Sequence, residues 1–292
     1  MKVQVNTVGA TAHLGESHSK RTLVRAPSGR LWAVYPDALI TESLYVSYSD
    51  DNGTTWTEEK AVDDARLVGS GQGRIVLLVD SSSMPIILYL NNPVVGNARM
   101  VYVDRSGGTW GAVENIYQAN NIGEFDACMD ANNKIHIAFS RVGLRYIKGS
   151  TGSWAANEVA IAGSSPGDGA IAVDSNDKPY IVYNESDGLY MVEKTGASWS
   201  GRETIEDTFQ NARNPGLAMD GSNNLHVTWW DLSSPTKYVL YRKRQSGVWQ
   251  TQITVTSQDD YNYEGPNISI DTSGNIYVVY CFDTTIGSNT IW

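Results

Sequence analysis

Residues 49–56 read Ser-Asp-Asp-Asn-Gly-Thr-Thr-Trp, and this octapeptide indicates how the rest of the chain is built. It stands between two runs of strand-forming residues, and an Asp-x-Gly turn in that setting predicts a β-hairpin. The Asp51 carboxylate can accept N–H groups of its own turn, and Gly53 can adopt the positive φ that such a turn needs. The Trp56 ring can then fold back onto the sheet that the turn closes.

Two series of residues repeat in phase with this turn. Tryptophans follow short glycine-bearing turns at Trp56, Trp110, Trp154, Trp199 and Trp249. In the second series an aspartate ends an apolar run and an aromatic residue follows nine positions later; the pairs are Asp80 and Tyr89, Asp130 and Phe139, Asp174 and Tyr183, Asp220 and Trp229, Asp271 and Tyr280, with Ala26 and Tyr35 as the first copy. Six copies with a period of this length predict an all-β fold, a β-propeller of six four-stranded antiparallel blades.

The last copy contains only three strand-like runs, at residues 268–270, 276–280 and 290–292. The N-terminus has a spare alternating run at residues 3–8. We therefore predict that residues 3–8 complete the last blade and close the ring, because closure removes the exposed sheet edges that invite aggregation. The regular repeat also predicts a single domain over residues 1–292.

Composition excludes several classes of function. The net charge of −10 argues against nucleic-acid backbones and anionic membranes as general partners. No apolar run has transmembrane length, so no membrane insertion is expected. Cys128 and Cys281 are predicted to be buried free thiols. The histidines lack metal-ligand spacing, and His136 and His226 occupy equivalent strand positions that predict packing. We expect no cofactor and no metal ion, although an acidic channel could hold Ca²⁺.

The composition, rich in Asn, Ser, Thr, Gly, Tyr and Trp, is typical of an extracellular surface. The first residues contain no signal-peptide apolar core. Two explanations fit these observations: a signal that was trimmed, or release by another route, as for a phage virion component at lysis. The expected location is therefore extracellular or virion-associated.

Charged residues of both signs stand at one place in the repeat. The innermost strand of each propeller blade lines the central channel, so the residues that lead into these strands converge at one mouth. We count six or seven positions back from each aspartate of the second series, and from Ala26 in the first copy. The residues found there are Arg21 beside Lys20, Arg74, Glu124, Asp168, Arg213 with Asn214, and Glu264. These residues are either solvated charges in a wet channel or a cup for a polar ligand, since converging polar groups mark binding sites.

The octapeptide agrees at all eight positions with the Asp box, Ser-x-Asp-x-Gly-x-Thr-Trp, and the chain thereby resembles the sialidase-like Asp-box β-propellers. In that family the box is a structural staple on the outer part of a blade, away from the catalytic face. The resemblance is fullest from Arg21 to Trp56, which keeps the family's order of basic residue, strand, Ser-Gly turn, strand, acidic loop, strand and box.

The resemblance implies roles for several of these residues. Arg21 stands where the family has an Arg-Ile-Pro arginine that clamps the substrate carboxylate, although here Thr22 follows and the Ile-Pro is absent. Asp37 corresponds to the acid-base aspartate, and Glu42 is a second candidate. Glu124 and Arg141 match the glutamate that opens an inner strand and the arginine that ends the next.

That glutamate would act as base for a tyrosine nucleophile, for which the candidates are Tyr261 and Tyr263. A tyrosine suits a sialyl cation, because an attacking carboxylate would be repelled by the carboxylate of the substrate. The third family arginine has no clear match; Arg213 and Lys237 are the candidates. The alternative is that the arginines form ion pairs with neighbouring blades and that the tyrosines stack at the rim.

Three functions fit the sequence. The first is a glycan-binding propeller, a phage receptor-binding module or a secreted lectin, with Trp230 and Tyr261 as aromatic residues at the rim. The second is a glycoside hydrolase, an exo-glycosidase of the sialidase type. The third is a structural virion or scaffold protein without a small ligand. The sequence orders them in this way but does not choose between binding and catalysis, and it leaves the oligomeric state open.

Overall fold

A computed structural model describes the chain at residues 21–37, 43–67, 75–92, 98–163, 166–206, 212–231, 238–256, 263–285 and 288–291. These residues form twenty-six β-strands and one short 3-10 turn, Ser106–Gly108, so the predicted all-β class is confirmed for this part of the chain. The chain divides into two compact units, and the first consists of residues 1–122, 131–134 and 149–154. The second consists of residues 123–130, 135–148 and 155–292.

Two four-stranded antiparallel sheets lie in the first unit, and each is ordered as its strands follow in the chain. The first sheet comprises β1 (Leu23–Arg25), β2 (Leu31–Pro36), β3 (Leu44–Ser49) and β4 (Thr57–Val62). The second sheet comprises β5 (Ile75–Val79), β6 (Pro85–Asn91), β7 (Arg99–Asp104) and β8 (Glu114–Gln118). Trp32, Leu77 and Ile87 are completely buried in the core of this unit.

The third, fourth and fifth sheets have five strands each, because a short hairpin strand and a later strand both pair with the third strand. The third sheet comprises β9 (Phe125–Met129), β10 (Ile135–Arg141), β11 (Gly143–Ser150), β12 (Ser153–Trp154) and β13 (Glu158–Ile161). The fourth comprises β14 (Gly169–Val173), β15 (Pro179–Glu185), β16 (Gly188–Thr195), β17 (Ser198–Trp199) and β18 (Glu203–Glu206). The fifth comprises β19 (Ala212–Met219), β20 (Leu225–Asp231), β21 (Tyr238–Gln245), β22 (Val248–Trp249) and β23 (Ile253–Thr254).

The sixth sheet has three strands in the described part of the chain: β24 (Tyr263–Ile270), β25 (Ile276–Thr285) and β26 (Ser288–Ile291). Ile276, Tyr277 and Val279 of β25 are exposed. The sequence predicts three strands from this copy as well, but it starts the first strand at Ile268, whereas β24 starts five residues earlier. Residues 3–8, which are predicted to complete this sheet, lie outside the described residues.

The aspartate series shapes the turn after each inner strand. In the fourth sheet, Asp174 accepts the backbone N–H groups of Asn176 and Lys178 at 2.8 and 3.0 Å. Asp177, three positions after the aspartate, has a φ of 59°. The same pattern recurs at Asp80, Asp220 and Asp271. Each aspartate therefore replaces backbone partners that a tight turn leaves unpaired.

Three of the repeated tryptophans connect neighbouring sheets. The indole N–H of Trp110 donates to Glu59 at 3.2 Å, and that of Trp154 donates to Glu114 at 3.0 Å. Within the second unit, Trp199 donates to Glu158 at 3.2 Å. Each acceptor lies in the outer strand of the preceding sheet. These rings thus do more than pack on their own sheet, which is all that the sequence predicts.

The octapeptide forms the turn that its sequence predicts. Asp51 accepts the backbone N–H of Thr55 at 2.8 Å and its hydroxyl at 2.7 Å. Ser49 donates its hydroxyl to the same carboxylate at 2.8 Å. Gly53 has a φ of 87°, and Trp56 donates its indole N–H to the Gly53 carbonyl at 3.1 Å. The turn is therefore fixed by its own polar groups.

Replacing Asp51 by asparagine is expected to lower the melting temperature at neutral pH by a few degrees. The hydrogen bonds from Thr55 and Ser49 lower the pKa of Asp51 from 3.8 to about 2. A carboxyl group whose pKa is lowered by folding stabilises the protein above its unfolded pKa and loses that contribution as the pH falls through its folded pKa. The wild-type advantage over Asp51→Asn should therefore disappear between about pH 4 and pH 2. A constant difference across this pH range would contradict the prediction.

Candidate functional site

The inner strands of the second unit, β9, β14, β19 and β24, lie side by side and carry the predicted mouth residues. The buried Asp126 carboxylate in β9 accepts the backbone N–H of Ile171 in β14 at 3.0 Å. The Asp168 carboxylate, just before β14, accepts the backbone N–H of Asn214 in β19 at 3.2 Å. In β19, Gly216 approaches the next strand so closely that a Cβ would lie 2.9 Å from the Pro266 carbonyl oxygen.

A β-bulge marks the start of two of these strands. Gly123 donates its N–H to the Ser140 carbonyl at 2.7 Å, and Ser140 donates back to the Glu124 carbonyl at 2.9 Å. Gly123 and Glu124 thus both face Ser140 across the strand pair, which is the geometry of a β-bulge. Gly167 and Asp168 face Asn184 in the same way: Gly167 donates its N–H to the Asn184 carbonyl at 2.9 Å, and Asn184 donates its N–H to the Asp168 carbonyl at 3.1 Å. Bulges redirect the side chains beside them and are frequent next to active sites.

The other two inner strands are irregular at or just after the corresponding residues. The pairing of β19 with β20 shifts between Arg213 and Gly216, and Asn214 there has a φ of 47°. The pairing of β24 with β25 shifts between Glu264 and Asn267, and Gly265 has the same φ. All four inner strands of the second unit are therefore bent close to the predicted mouth.

The register brings four predicted site residues to matching positions. Glu124 lies opposite Ser140, Asp168 opposite Asn184, Arg213 opposite Trp230, and Glu264 opposite Cys281. Arg213 is exposed, Glu124 is half-buried and Asp168 is buried. At this end of the second unit the structure therefore describes the side chains of two acidic residues and one basic residue.

Polar residues at the end of the second strand of each sheet adjoin this position, and the sequence argument recovers only one of them. Arg141, which was predicted, ends β10 and is half-buried. Asn184 and Asp231 stand near the ends of β15 and β20 and are buried. Counting ten and eleven residues after each aspartate marker would have found both. The rim candidate Trp230 is half-buried.

A glycine before each acidic residue makes room for the facing side chain. A Cβ on Gly123 would lie 2.1 Å from the Ser140 hydroxyl oxygen, and a Cβ on Gly167 would lie 2.8 Å from the Asn184 side-chain oxygen. Any larger residue would displace these polar groups. The Gly-Glu and Gly-Asp pairs therefore fix where Ser140 and Asn184 lie beside the mouth residues.

The first unit holds two of the predicted residues. Asp37 follows β2, is half-buried and donates its backbone N–H to the Ser43 carbonyl at 2.8 Å. The Arg21 carbonyl accepts the N–H of Leu77 at 2.6 Å, and the Arg21 backbone forms a parallel bridge with Val76. The Arg21 backbone thus joins the first sheet to the second, and its side chain is half-buried.

Some predicted residues are not described by the structure. Tyr263 opens β24 with its backbone opposite Phe282, so it belongs to the inner strand that it was predicted to precede. The remaining candidates lie outside the described residues: Lys20, Glu42, Arg74, Lys237 and Tyr261.

The two equivalent histidines have structural roles, as predicted. His136 is buried between Asp130 and the Tyr146 hydroxyl, at 3.0 and 2.8 Å from its two ring nitrogens. His226 lies in the same way between Asp220 and Tyr241. Burial lowers the pKa of both imidazoles, which favours the neutral form that bridges an acid and a hydroxyl.

The described residues contain no group of three or more His, Cys, Asp or Glu side chains arranged to hold a metal ion. Cys128 is a buried thiol, as predicted. In the same part of the chain no helix has the length and apolar character needed to cross a membrane.

Comparisons with known proteins identify structural relatives but no sequence family. No family model matches the chain, and no curated protein matches it. A polysaccharide lyase of family PL25, an ulvan lyase, is 11% identical with a TM-score of 0.68, over 94% of this chain and 78% of that chain. A protein of unknown function from Dyadobacter fermentans is 13% identical with a TM-score of 0.65, covering 94% and 92%. The intramolecular trans-sialidase from Ruminococcus gnavus is 10% identical with a TM-score of 0.61, covering 91% of each chain.

Likeness at this level of identity concerns the fold alone. The ulvan lyase and the trans-sialidase are β-propellers, and the antiparallel sheets described above agree with a propeller-type fold.

Proposed function

We propose that this protein is a carbohydrate-recognising β-propeller that binds a glycan at the mouth formed by its inner strands. The observation that carries the proposal is that Glu124, Asp168 and Arg213 lie opposite equivalent residues of their paired strands, at irregular places in the inner strands of the second unit. In this proposal the six sheets are the blades of one sialidase-like domain, closed by residues 3–8. Its place is extracellular or virion-associated.

The chemistry of these residues suits a sugar. An exposed arginine offers several N–H donors, and carboxylates accept hydrogen bonds from hydroxyl groups. Arg213 is exposed and Glu124 is half-buried, so both signs of charge are accessible in one region. The half-buried Trp230 lies opposite Arg213 in the sheet and offers a ring for a sugar face. Two of the similar structures, the ulvan lyase and the trans-sialidase, act on carbohydrates according to their names, which supports this ligand class.

Replacing Arg213 by alanine is expected to weaken glycan binding by about tenfold, which corresponds to the loss of one charge-assisted hydrogen bond. The measurement is a glycan array with the wild type, followed by titration of the best ligand into wild type and variant. Arg25→Ala is the matched control, because Arg25 is also exposed but binds Asn52 and Gly29 in the first sheet. Equal loss in both variants, or no loss in Arg213→Ala, would contradict the proposal.

A sialidase-type hydrolase is the second candidate, and the arrangement of Glu124 and Arg141 favours it. Glu124 precedes β9 and Arg141 ends the paired strand β10, as the family resemblance implies. Turnover of a fluorogenic sialoside by the wild type, lost in Glu124→Gln and in Tyr261→Phe or Tyr263→Phe, would establish catalysis. Absence of turnover by the wild type leaves glycan binding as the function.

A further inference from the structure

Three lysines from separate segments line a cavity of about 490 Å³ between the third and fourth sheets. Lys148 lies in β11, Lys178 precedes β15, and Lys194 lies near the end of β16. Tyr146 and Pro179 contribute apolar wall. All residues that line the cavity belong to the second unit, and the cavity lies at the turn that follows β14, the end of the strands opposite the proposed mouth. Its volume is within the range of small-molecule sites.

Carboxylates hold these lysines in place without using up their donors. Lys148 lies 2.9 Å from the buried carboxylate of Asp130, Lys178 lies 2.8 Å from the carboxylate of Glu193, and Lys194 forms an ion pair with Glu158. An ammonium group has three N–H donors, and a contact with one carboxylate oxygen uses one of them. Each lysine therefore keeps donors for a ligand in the cavity.

The fourth and fifth sheets carry equivalent residues with a different arrangement of charge. Lys194 pairs in register with Trp199, and Arg244 pairs with Trp249 in the fifth sheet, so the two cations occupy equivalent positions. Arg244 forms a bidentate ion pair with Glu203 of the fourth sheet, with distances of 3.2 and 3.0 Å.

Arg244 also reaches Glu193, at 3.6 Å. The residue that matches Glu193 in the third sheet is Lys148, because each directly precedes the strand residue that pairs with the hairpin tryptophan. Lys194 keeps the equivalent ion pair, with Glu158 of the third sheet, but it has Lys148 at the position where Arg244 has Glu193 as its second carboxylate. The cavity therefore has a positive charge, Lys148, where the neighbouring pair of sheets has a negative one. An anion placed between like charges is stabilised by both.

We propose that this cavity binds the carboxylate or sulfate group of an acidic sugar. The anionic group of the ligand is inferred from the three lysines and from the presence of Lys148 at the position where the fourth sheet has Glu193. The sugar class rests on the proposed function, and it agrees with the lining: Glu158 and Asp177 also face the cavity and can accept hydrogen bonds from hydroxyl groups. The site is separate from the mouth and gives the protein a second point of attachment to a polyanionic glycan.

The test is a calorimetric titration with D-glucuronate, D-glucose and sodium sulfate. We expect saturable binding of glucuronate, weaker binding of glucose, and at least about tenfold loss of glucuronate affinity in Lys148→Glu, which places a carboxylate at the position that Glu193 has between the next two sheets. Lys243→Glu is the matched control, since Lys243 pairs with Asp220 in the fifth sheet and does not line the cavity. It should leave glucuronate affinity unchanged.

Several results would overturn the proposal: no saturable glucuronate binding, equal affinity for glucose and glucuronate, or unchanged affinity in Lys148→Glu. Sulfate binding as tight as glucuronate binding would overturn the sugar and leave only a small-anion site. If the circular dichroism of Lys148→Glu is not that of a folded chain, Lys178→Gln replaces it.

The two proposals can fail separately. Glucuronate binding that depends on Lys148, together with a negative glycan array, would leave the anion site standing and overturn the mouth. If Arg213→Ala loses binding on the glycan array and glucuronate shows no saturable binding, the mouth would stand and the anion site would be overturned.

Discussion

Replacing Gly143 by alanine is expected to lower the free energy of unfolding by about 2–4 kcal/mol. Gly143 has a φ of 84°, and a Cβ there would lie 2.2 Å from the carbonyl oxygen of Ile161. Ile161 ends β13 and pairs with Leu144, so this oxygen cannot retreat without disturbing the outer edge of the third sheet. The left-handed backbone costs about 1–2 kcal/mol, and relief of the clash costs about as much again. Chemical unfolding of the two proteins measures the difference.

Gly163 provides the control for the backbone contribution. Its φ is 70°, and nothing lies within 4 Å of an added Cβ. Gly163→Ala is therefore expected to lower the free energy of unfolding only by the cost of a left-handed backbone at alanine, about 1–2 kcal/mol. If the two variants lost the same stability, the clash with Ile161 would be shown to relax without cost. Gly188→Ala in the fourth sheet should repeat the larger effect, because its Cβ would lie 2.4 Å from the Glu206 carbonyl oxygen.

The second large effect is expected from Asp126→Ala, which should lower the free energy of unfolding by about 3 kcal/mol. Asp126 is 1% exposed, and its carboxylate accepts the backbone N–H of Ile171, which is also completely buried. Truncation removes a charge-assisted hydrogen bond between the third and fourth sheets and leaves the Ile171 N–H without this acceptor. A buried donor that loses its partner costs more than the hydrogen bond contributes on balance. Denaturant titration with an unchanged slope would measure this loss.

Two comparisons make the Asp126 prediction specific. Asp126→Asn keeps a side-chain oxygen for Ile171 and should lose about 1 kcal/mol. Asp168→Ala removes a similar bond to Asn214, but Asn214 is half-buried, so water can replace the lost acceptor in part and the loss should be smaller than in Asp126→Ala. An Asp126→Ala variant as stable as the wild type would show that Ile171 finds another acceptor.

The period of the sequence correctly predicts most strands because strands and turns depend on neighbours close in the chain. The aspartate series places the turn after each inner strand, and Asp174 shows the reason: its carboxylate binds N–H groups two and four residues on. Gly53 and Asp51 make the hairpin after β3 by the same local rules. The prediction of four strands in each blade is less accurate, since the outer edge of the third to fifth sheets is split into two pieces.

The site could be located only in part. The repeat places Glu124, Asp168 and Arg213 within one position of one another along their strands, since position in a periodic chain fixes position along a strand. It does not reveal that Asp168 is buried against Asn214, because that contact depends on how two inner strands pack. The cavity between the third and fourth sheets was missed for the same reason: Lys148, Lys178 and Lys194 have no common spacing in the sequence.

The sequence by itself determined the all-β class, the six-copy repeat and the turns, since these follow from residue preferences and hydrogen bonds within a few residues. Only the tertiary structure decided which charges meet. Lys148 faces a cavity while the equivalent Glu193 contacts Arg244, and this difference arises from residues of adjacent sheets some fifty positions apart. Electrostatic interactions act through space and depend on burial and on distances of a few ångströms, which no spacing in a single sequence encodes.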